Sequence, residues 1–314
     1  MKFLVYEYFS SGGLPDQKKS LLMEGLCMLN LIVDGLRREK HHVYSVIGEL
    51  NNIGGDVVVL EKQMDPASFL MEKVDELGVD YVYPIAPDRE LAVIASTLKG
   101  EVDAVCSEPD ALEKAADKWQ TYILLKKKGL RQPETFKDRC PKKNFLVKPR
   151  YGVGCEGVSL NSGTSRESIN QEYIKGTDAS VSVFSDGRNS KAVSLNKQHI
   201  TRTGNILGYS GGVVPLSHPL SDDAFILAEK AVNSIKGLKG CVGVDMVLSD
   251  EPYIIEINPR VTTSMAALEQ AADFNVAASS LEAYKGNLPK RPEFKSNVEF
   301  NLTDEGISFF HTDI

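Results

Sequence analysis

Apolar residues recur at two different spacings along the first hundred positions. Residues 2–8 form a short run rich in Val, Tyr and Phe, which predicts a buried strand. After the turn Ser10-Ser11-Gly12-Gly13, Leu21, Leu22, Leu26, Leu29, Val33 and Leu36 fall at helical spacing, and the pattern closes with Arg37-Arg38. Further strands are predicted at 42–47, 56–60 and 80–85, and helices at 69–77 and 89–99, which end at Gly78 and Gly100. Alternation at this pace means a parallel sheet with crossover helices over residues 1–105. From Glu108 the texture changes to α+β. A helix predicted at 111–128 stops at Gly129, and a strand follows at 145–148. Longer strands with hairpin turns (171–174, 180–184, 240–248 and 253–258) then alternate with helices at 222–236 and 264–272. The last stretch, 287–314, holds Pro289 and Pro292 and no strong periodicity, and reads as an irregular wrap with a late strand.

The chain has 314 residues, 42 % hydrophobic and 25 % charged, which fits a globular enzyme of two domains able to bury a core without staples. A net charge of −7 argues against a dedicated nucleic-acid binder, which needs a basic face. No apolar run approaches the roughly 20 residues of a membrane span. Glu7 interrupts the first apolar stretch, so the start reads as a strand and not a signal peptide. Cys27, Cys106, Cys140, Cys155 and Cys241 are scattered without a CxxC, and the histidines lack HExxH spacing. A disulfide scaffold and a structural zinc site are therefore disfavoured, and a cytosolic protein is expected. The expected partners are small molecules, not nucleic acid or membrane, with a homodimer left open.

Four segments carry candidate chemistry. In Arg150-Tyr151-Gly152-Val153-Gly154-Cys155-Glu156-Gly157 the glycines Gly152, Gly154 and Gly157 satisfy GxGxxG, but Val158-Ser159-Leu160 continues as a strand where a dinucleotide site needs a helix. The element is a hairpin flap, either an ordinary Gly-rich turn or one that lays backbone N–H groups over phosphates. Lys148 precedes the flap and shares a strand face with Leu146, which suits a phosphate contact as well as a solvated charge. Lys118 lies upstream on a helix. At 171–181 a strand breaks at a Gly turn. It is a plain hairpin, or its open backbone reads an adenine edge while Asp178 accepts from ribose hydroxyls.

The hairpin near the C-terminus is the most informative. A four-residue loop pairs residue 248 with 253, which sets Asp245 opposite Glu256 and Gly243 opposite Asn258, all on one face. Two opposed carboxylates repel unless a cation lies between them. With an amide oxygen they form a hard-oxygen set suited to Mg²⁺ or Mn²⁺. Gly243 leaves space opposite Asn258, and Arg260 can fork onto a phosphate or carboxylate. The alternative is a solvated hairpin face. Replacing Glu256 by Gln is expected to relieve the repulsion and leave ligand-free stability equal or higher.

Taken in order, a lysine helix, a lysine strand, a glycine flap, an E-Y-I-x-G-x-D hinge and Asp…Glu-x-Asn-Pro-Arg resemble the ATP-grasp superfamily over residues 109–286. The resemblance implies an α/β chain: a Rossmann-like pre-ATP-grasp domain (1–105), then a two-lobed α+β ATP-grasp domain. Its small lobe (106–175) carries the lysines, flap and hinge, and its large lobe (176–314) the metal hairpin and C-terminal wrap. It also implies that Lys118 and Lys148 contact ATP phosphates under Gly152, Gly154 and Gly157. Glu172, Tyr173 and Ile174 would bind adenine, Asp178 ribose, and Asp245, Glu256 and Asn258 the metal. Two departures stand out. Gly243 occupies the place of an arginine found in D-alanine ligases, with Arg260 as its replacement, and the ribose acid is Asp where Glu is commoner.

A narrower resemblance rests on Glu7-Tyr8, Ser11-Gly12-Gly13, Asn196-Lys197-Gln198, Tyr209-Ser210-Gly211-Gly212 and Pro215. These are similar to a small archaeal-type group that includes a ligase joining L-glutamate to tyramine in methanofuran biosynthesis. Arg202 lies in the same loop and faces either an acidic substrate or solvent. The implied activity is an ATP-dependent, ADP-forming carboxylate–amine ligase acting through an acylphosphate. Another amino-acid or cofactor ligase, or an ATP-binding regulatory subunit without turnover, are the alternatives.

Overall fold

A computed structural model describes residues 1–12, 19–48, 56–60, 64–138, 140–161 and 167–313; Gly13 of the first glycine turn lies outside these. The first part contains β1 (Lys2–Glu7), α1 (Lys19–Arg38), β2 (His42–Gly48), β3 (Asp56–Leu60), α2 (Pro66–Leu77), β4 (Tyr81–Ile85), α3 (Asp88–Leu98) and β5 (Asp103–Ala104). The strands form a parallel sheet in the order β3-β2-β1-β4-β5. Along β1 the side chains alternate, Phe3 and Val5 packing under α1, Leu4 and Tyr6 under α2 and α3. Burial of both faces is why the strand reads as a continuous apolar run.

The second part contains α4 (Pro109–Ala116), α5 (Lys118–Lys127), β6 (Thr135–Phe136), β7 (Phe145–Pro149), β8 (Ser159–Leu160), β9 (Ser168–Glu172), β10 (Thr177–Asp186), β11 (Ser190–Thr203) and β12 (Ile206–Val214). It continues with α6 (Ser221–Asn233), β13 (Lys239–Leu248), β14 (Pro252–Asn258), α7 (Ser264–Ala271), α8 (Val276–Tyr284), β15 (Asn297–Thr303) and β16 (Gly306–Thr312). Among the described residues its strands form one antiparallel sheet, β14-β13-β10-β11-β12-β8-β7-β9-β6, with β15 and β16 added on β12. Alanines 224, 228 and 231 bring α6 close to one face of this sheet. On the other face, α7, α8 and β15 share a core with α1. Helix α1 thus packs on both sheets, and this continuous core fixes how the first sheet faces the cleft of the second.

Four expectations change. The helix predicted at 111–128 is two helices, because Asp117 is extended and caps α5: its Oδ1 accepts from the amides of Trp119 at 3.0 Å and Gln120 at 3.2 Å. Gln120 reaches back to Asp117 Oδ2 at 3.0 Å, so Asp-x-x-Gln is the signal that marks the break. The strand expected at 171–174 lies at Ser168–Glu172, leaving Tyr173 and Ile174 beyond its end. Helix α8 was not foreseen. The expected C-terminal wrap is a hairpin, β15–β16, whose Val298 and Phe300 alternate into the core. Among the described residues no helix is long and apolar enough to cross a membrane.

Candidate active site

The β13–β14 hairpin sets the floor of the cleft. Asp245 pairs with Glu256 and Gly243 with Asn258, as the loop count predicts at those positions. The route differs. Leu248 pairs with Pro252, so the loop is one residue shorter, and a bulge at Ile255 restores the register. The bulge also turns Ile255 into the cleft beside Glu256. Gly243 does not leave open space: a Cβ there would stand 2.7 Å from the Thr262 methyl, so the loop after β14 fills the gap.

Asp245 accepts from Gln198 Nε2 at 2.9 Å and from Asn258 Nδ2 at 3.0 Å. Burial, followed by the charge of Glu256, nevertheless pushes its carboxyl up to about 6. Glu256 is held by Lys118, whose Nζ lies 2.7 Å from Oε1 and also donates to the flap carbonyl of Gly152 at 2.9 Å. Burial works against charge on Lys118, but Glu256 prevails and holds its pKa above the ordinary value. Of the two opposed carboxylates, Glu256 is therefore the one paired with a lysine, while Asp245 is held by two amides. This corrects the expectation that Glu256→Gln relieves repulsion without cost. Lys148 is 6 % exposed, lines the cleft and has no hydrogen-bond or ion-pair partner among the described residues. Burial lowers its pKa.

Asp117 ties the lysine helix to the flap. Arg150 Nε donates to Oδ1 at 2.7 Å, Arg150 Nη2 pairs with Oδ2, and Tyr151 Oη donates to Oδ2 at 3.1 Å. Burial acts to raise the Asp117 pKa, but Arg150 and the helix amides bring it down to about 2. A carboxyl whose folded pKa lies below its unfolded value stabilises the fold fully above the unfolded pKa, and that stability is lost as pH falls through the folded one. The contribution is roughly 2 kcal/mol at neutral pH. Asp117→Asn is expected to melt below wild type at pH 7, with the gap closing as pH falls from about 4 to about 2. Equal melting of the two proteins at pH 7 would remove Asp117 from this role.

Most of the other sequence-predicted residues line the same cleft: Gly152, Gly154, Glu172, Tyr173, Ile174, Asp178, Arg202, Asn258 and Arg260. Gly157 does not. A Cβ there would meet the Pro149 ring at 2.9 Å, so this glycine closes the turn against the strand. Arg202 is held by its own turn, donating to the Gly204 carbonyl at 2.7 Å. Arg260 Nε lies 3.4 Å from Asp88 Oδ1, and burial raises Asp88 to about 6 although Arg260 opposes it.

Sequence reasoning met Gln171 and Gln198 only inside motifs and gave neither a role. The Thr135 hydroxyl donates to the Pro133 carbonyl at 3.1 Å, so Thr135 Oγ1 is the acceptor for Gln171 Nε2 at 3.4 Å. Gln171 Oε1 is left buried and without a partner on a side chain that lines the cleft. Asn196, two positions before Gln198, is fully buried and donates to Ser182 Oγ at 3.0 Å. The alternation of Asn196 and Gln198 along β11 was the available signal. Among the described residues no three His, Cys, Asp or Glu side chains converge as a metal cluster.

A family model for the ATP-grasp domain matches residues 115–264. The tyramine–L-glutamate ligase of Methanocaldococcus fervens is 34 % identical over 277 residues, spanning 85 % of this chain and 89 % of the relative. The corresponding ligase of Methanocaldococcus jannaschii is 31 % identical over 282 residues, 85 % of this chain and 84 % of the relative. The crystal structure of an ATP-grasp superfamily protein from Archaeoglobus fulgidus aligns with a TM-score of 0.77 at 26 % identity, covering 100 % of this chain and 99 % of that one. Two sheets meeting at a lysine- and carboxylate-lined cleft, together with these relatives, make the chain a member of the ATP-grasp superfamily, an ADP-forming ligase that makes C–N bonds.

Proposed function

We propose that this ligase joins L-glutamate to tyramine through an acylphosphate, with γ-glutamyltyramine as product. The observation that carries the substrate pair is the 34 % identity, over 85 % of the chain, to a ligase named for those two substrates. The division of labour proposed is a pre-ATP-grasp domain over 1–105, a small lobe over 106–175 and a large lobe over 176–314.

The residues fit a nucleotide and a divalent ion. Gln171 Oε1, buried and unpartnered, suits the exocyclic amino group of adenine, beside the hinge of Glu172, Tyr173 and Ile174. Asp178 takes the ribose. Lys148, buried without a counterion, suits a phosphate, as does Lys118 once it leaves Glu256. Gly152 and Gly154 lie over the same cleft, with Gly157 shaping their turn. Asp245, Glu256 and Asn258 would hold Mg²⁺ or Mn²⁺, which would neutralise phosphate charge. Arg260 orients the transferring group and Arg202 faces the acidic substrate. The substrate carboxylate attacks the terminal phosphorus, and the amine then displaces phosphate from the acyl carbon. The chain's own part is positioning and charge neutralisation.

Incubation with ATP, Mg²⁺, L-glutamate and tyramine should yield the glutamyl amide by mass spectrometry, with one ADP per product. Product with a different amine and none with tyramine would discard the proposed pair and leave the ligase class.

A further inference from the structure

A second, smaller pocket opens beside the cleft, between α1 and the flap. Its apolar wall includes Phe9, Leu21, Met28 and Ile85. Glu24 and Arg260 line both this pocket and the main cleft, so Glu24 stands where the two spaces join. Its Oε2 accepts from Thr263 Oγ1 at 2.8 Å, in the loop that follows the metal hairpin, and Oε1 has no hydrogen-bond partner among the described residues. Carboxylates outnumber cations here. Arg260 already faces Asp88 at 3.4 Å, and it acts on the charge of both Glu7 and Glu24. Among the described residues, Arg260 is the cation that acts on both Glu7 and Glu24, so a further positive group can be accommodated here.

A ligase that makes C–N bonds must take up an amine. At neutral pH an alkylamine arrives as its ammonium ion, and nitrogen cannot attack until a proton has left. We propose that Glu24 is the catalytic residue that receives the amine substrate: Oε1 accepts a hydrogen bond from the ammonium and takes its proton, and the apolar side pocket takes the carbon chain next to the nitrogen. The freed lone pair forms the C–N bond to the acyl carbon, and the C–O bond to phosphate breaks with its electron pair on phosphate. The second nitrogen proton leaves with the phosphate, and Glu24 returns the first to water. Burial raises the Glu24 pKa above the ordinary carboxylate value although Thr263 and Arg260 oppose it, which makes the carboxylate a better proton acceptor than an exposed one.

The inference rests on the acylphosphate reading above, and the two are tested separately. Full-length wild type and Glu24→Gln receive ATP, Mg²⁺ and L-glutamate with either tyramine or hydroxylamine. If wild type rejects tyramine, the amine it accepts takes its place. Hydroxylamine is largely neutral at pH 7, needs no base, and traps the activated acyl group as the hydroxamate. Whether wild type forms the hydroxamate tests the reading. The ratio of variant to wild type tests Glu24. The variant is expected to keep hydroxamate formation near the wild-type rate and to lose amine ligation on the order of a hundredfold. Glu24→Asp should recover part of the loss. Parallel loss of both products, with the fold intact by melting, would place Glu24 in carboxylate activation and overturn the proposal. Retention of both would overturn it as well.

Discussion

Glu256→Gln is expected to slow turnover at saturating ATP and Mg²⁺ by on the order of a hundredfold or more, and to lower the melting temperature of the ligand-free protein. The kinetic effect follows from the proposed metal site. Removing one anionic ligand weakens charge neutralisation at the transferring phosphoryl, worth several kcal/mol at about 1.4 kcal/mol per tenfold. The stability effect follows from Lys118. The pair is largely buried, with side chains 12 % and 18 % exposed. Gln can still accept from Lys118 but no longer neutralises it, and among the described residues the ammonium's other hydrogen bond is to the neutral Gly152 carbonyl. The cost should be about 1–3 kcal/mol, below that of a fully severed buried pair because a hydrogen bond survives and Asp245 stays close. Thermal melting of the single variants, Lys118→Met and the double variant isolates the pair. The sequence alone predicts the opposite sign, since it brings Asp245 against Glu256 and assigns Lys118 to phosphate. A Glu256→Gln protein that melts at or above wild type would mean that repulsion from Asp245 outweighs the ion pair.

Gly211→Ala is expected to cost about 2–4 kcal/mol of folding stability. Gly211 sits at φ +132°, and a Cβ there would lie 2.0 Å from the Phe300 carbonyl oxygen of β15. No rotamer relieves a clash with backbone, so either β15 moves or the β12–β15 ladder breaks. At Gly212 a Cβ would lie 2.2 Å from the Lys197 carbonyl, on the opposite neighbour, β11. The motif Tyr209-Ser210-Gly211-Gly212 thus owes its glycines to a strand pressed between two others, and of these four residues Tyr209 lines the cleft. Urea unfolding checks the loss, and turnover well below the transition should stay near wild type. A variant as stable as wild type would show that β15 yields without cost.

Much of the site is legible because its residues are neighbours in sequence or partners across a short turn. Lys148 and the flap lie on one hairpin. Asp245 and Glu256 meet through a three-residue loop, where the shorter turn and the bulge at Ile255 offset each other. Local periodicity likewise marked the strands and helices of the first sheet, since each element answers to its own spacing of apolar residues.

What tertiary structure alone decided are contacts between distant segments. Glu24 meets Thr263 across 239 positions, Asp117 meets Arg150 across 33, and Gln198 meets Asp245 across 47. No periodicity encodes such pairs, because a side chain's partner depends on which faces the packed elements bring together. The sequence by itself determined the alternating elements of the first sheet, the opposed carboxylates and the glycine flap. Only the fold decided that α1 serves both sheets, that Lys118 pairs with Glu256, and that a glutamate from the first sheet's helix enters the cleft of the second. Local geometry follows from short-range sterics, whereas charge placement in the cleft follows from how the two sheets bury α1 between them.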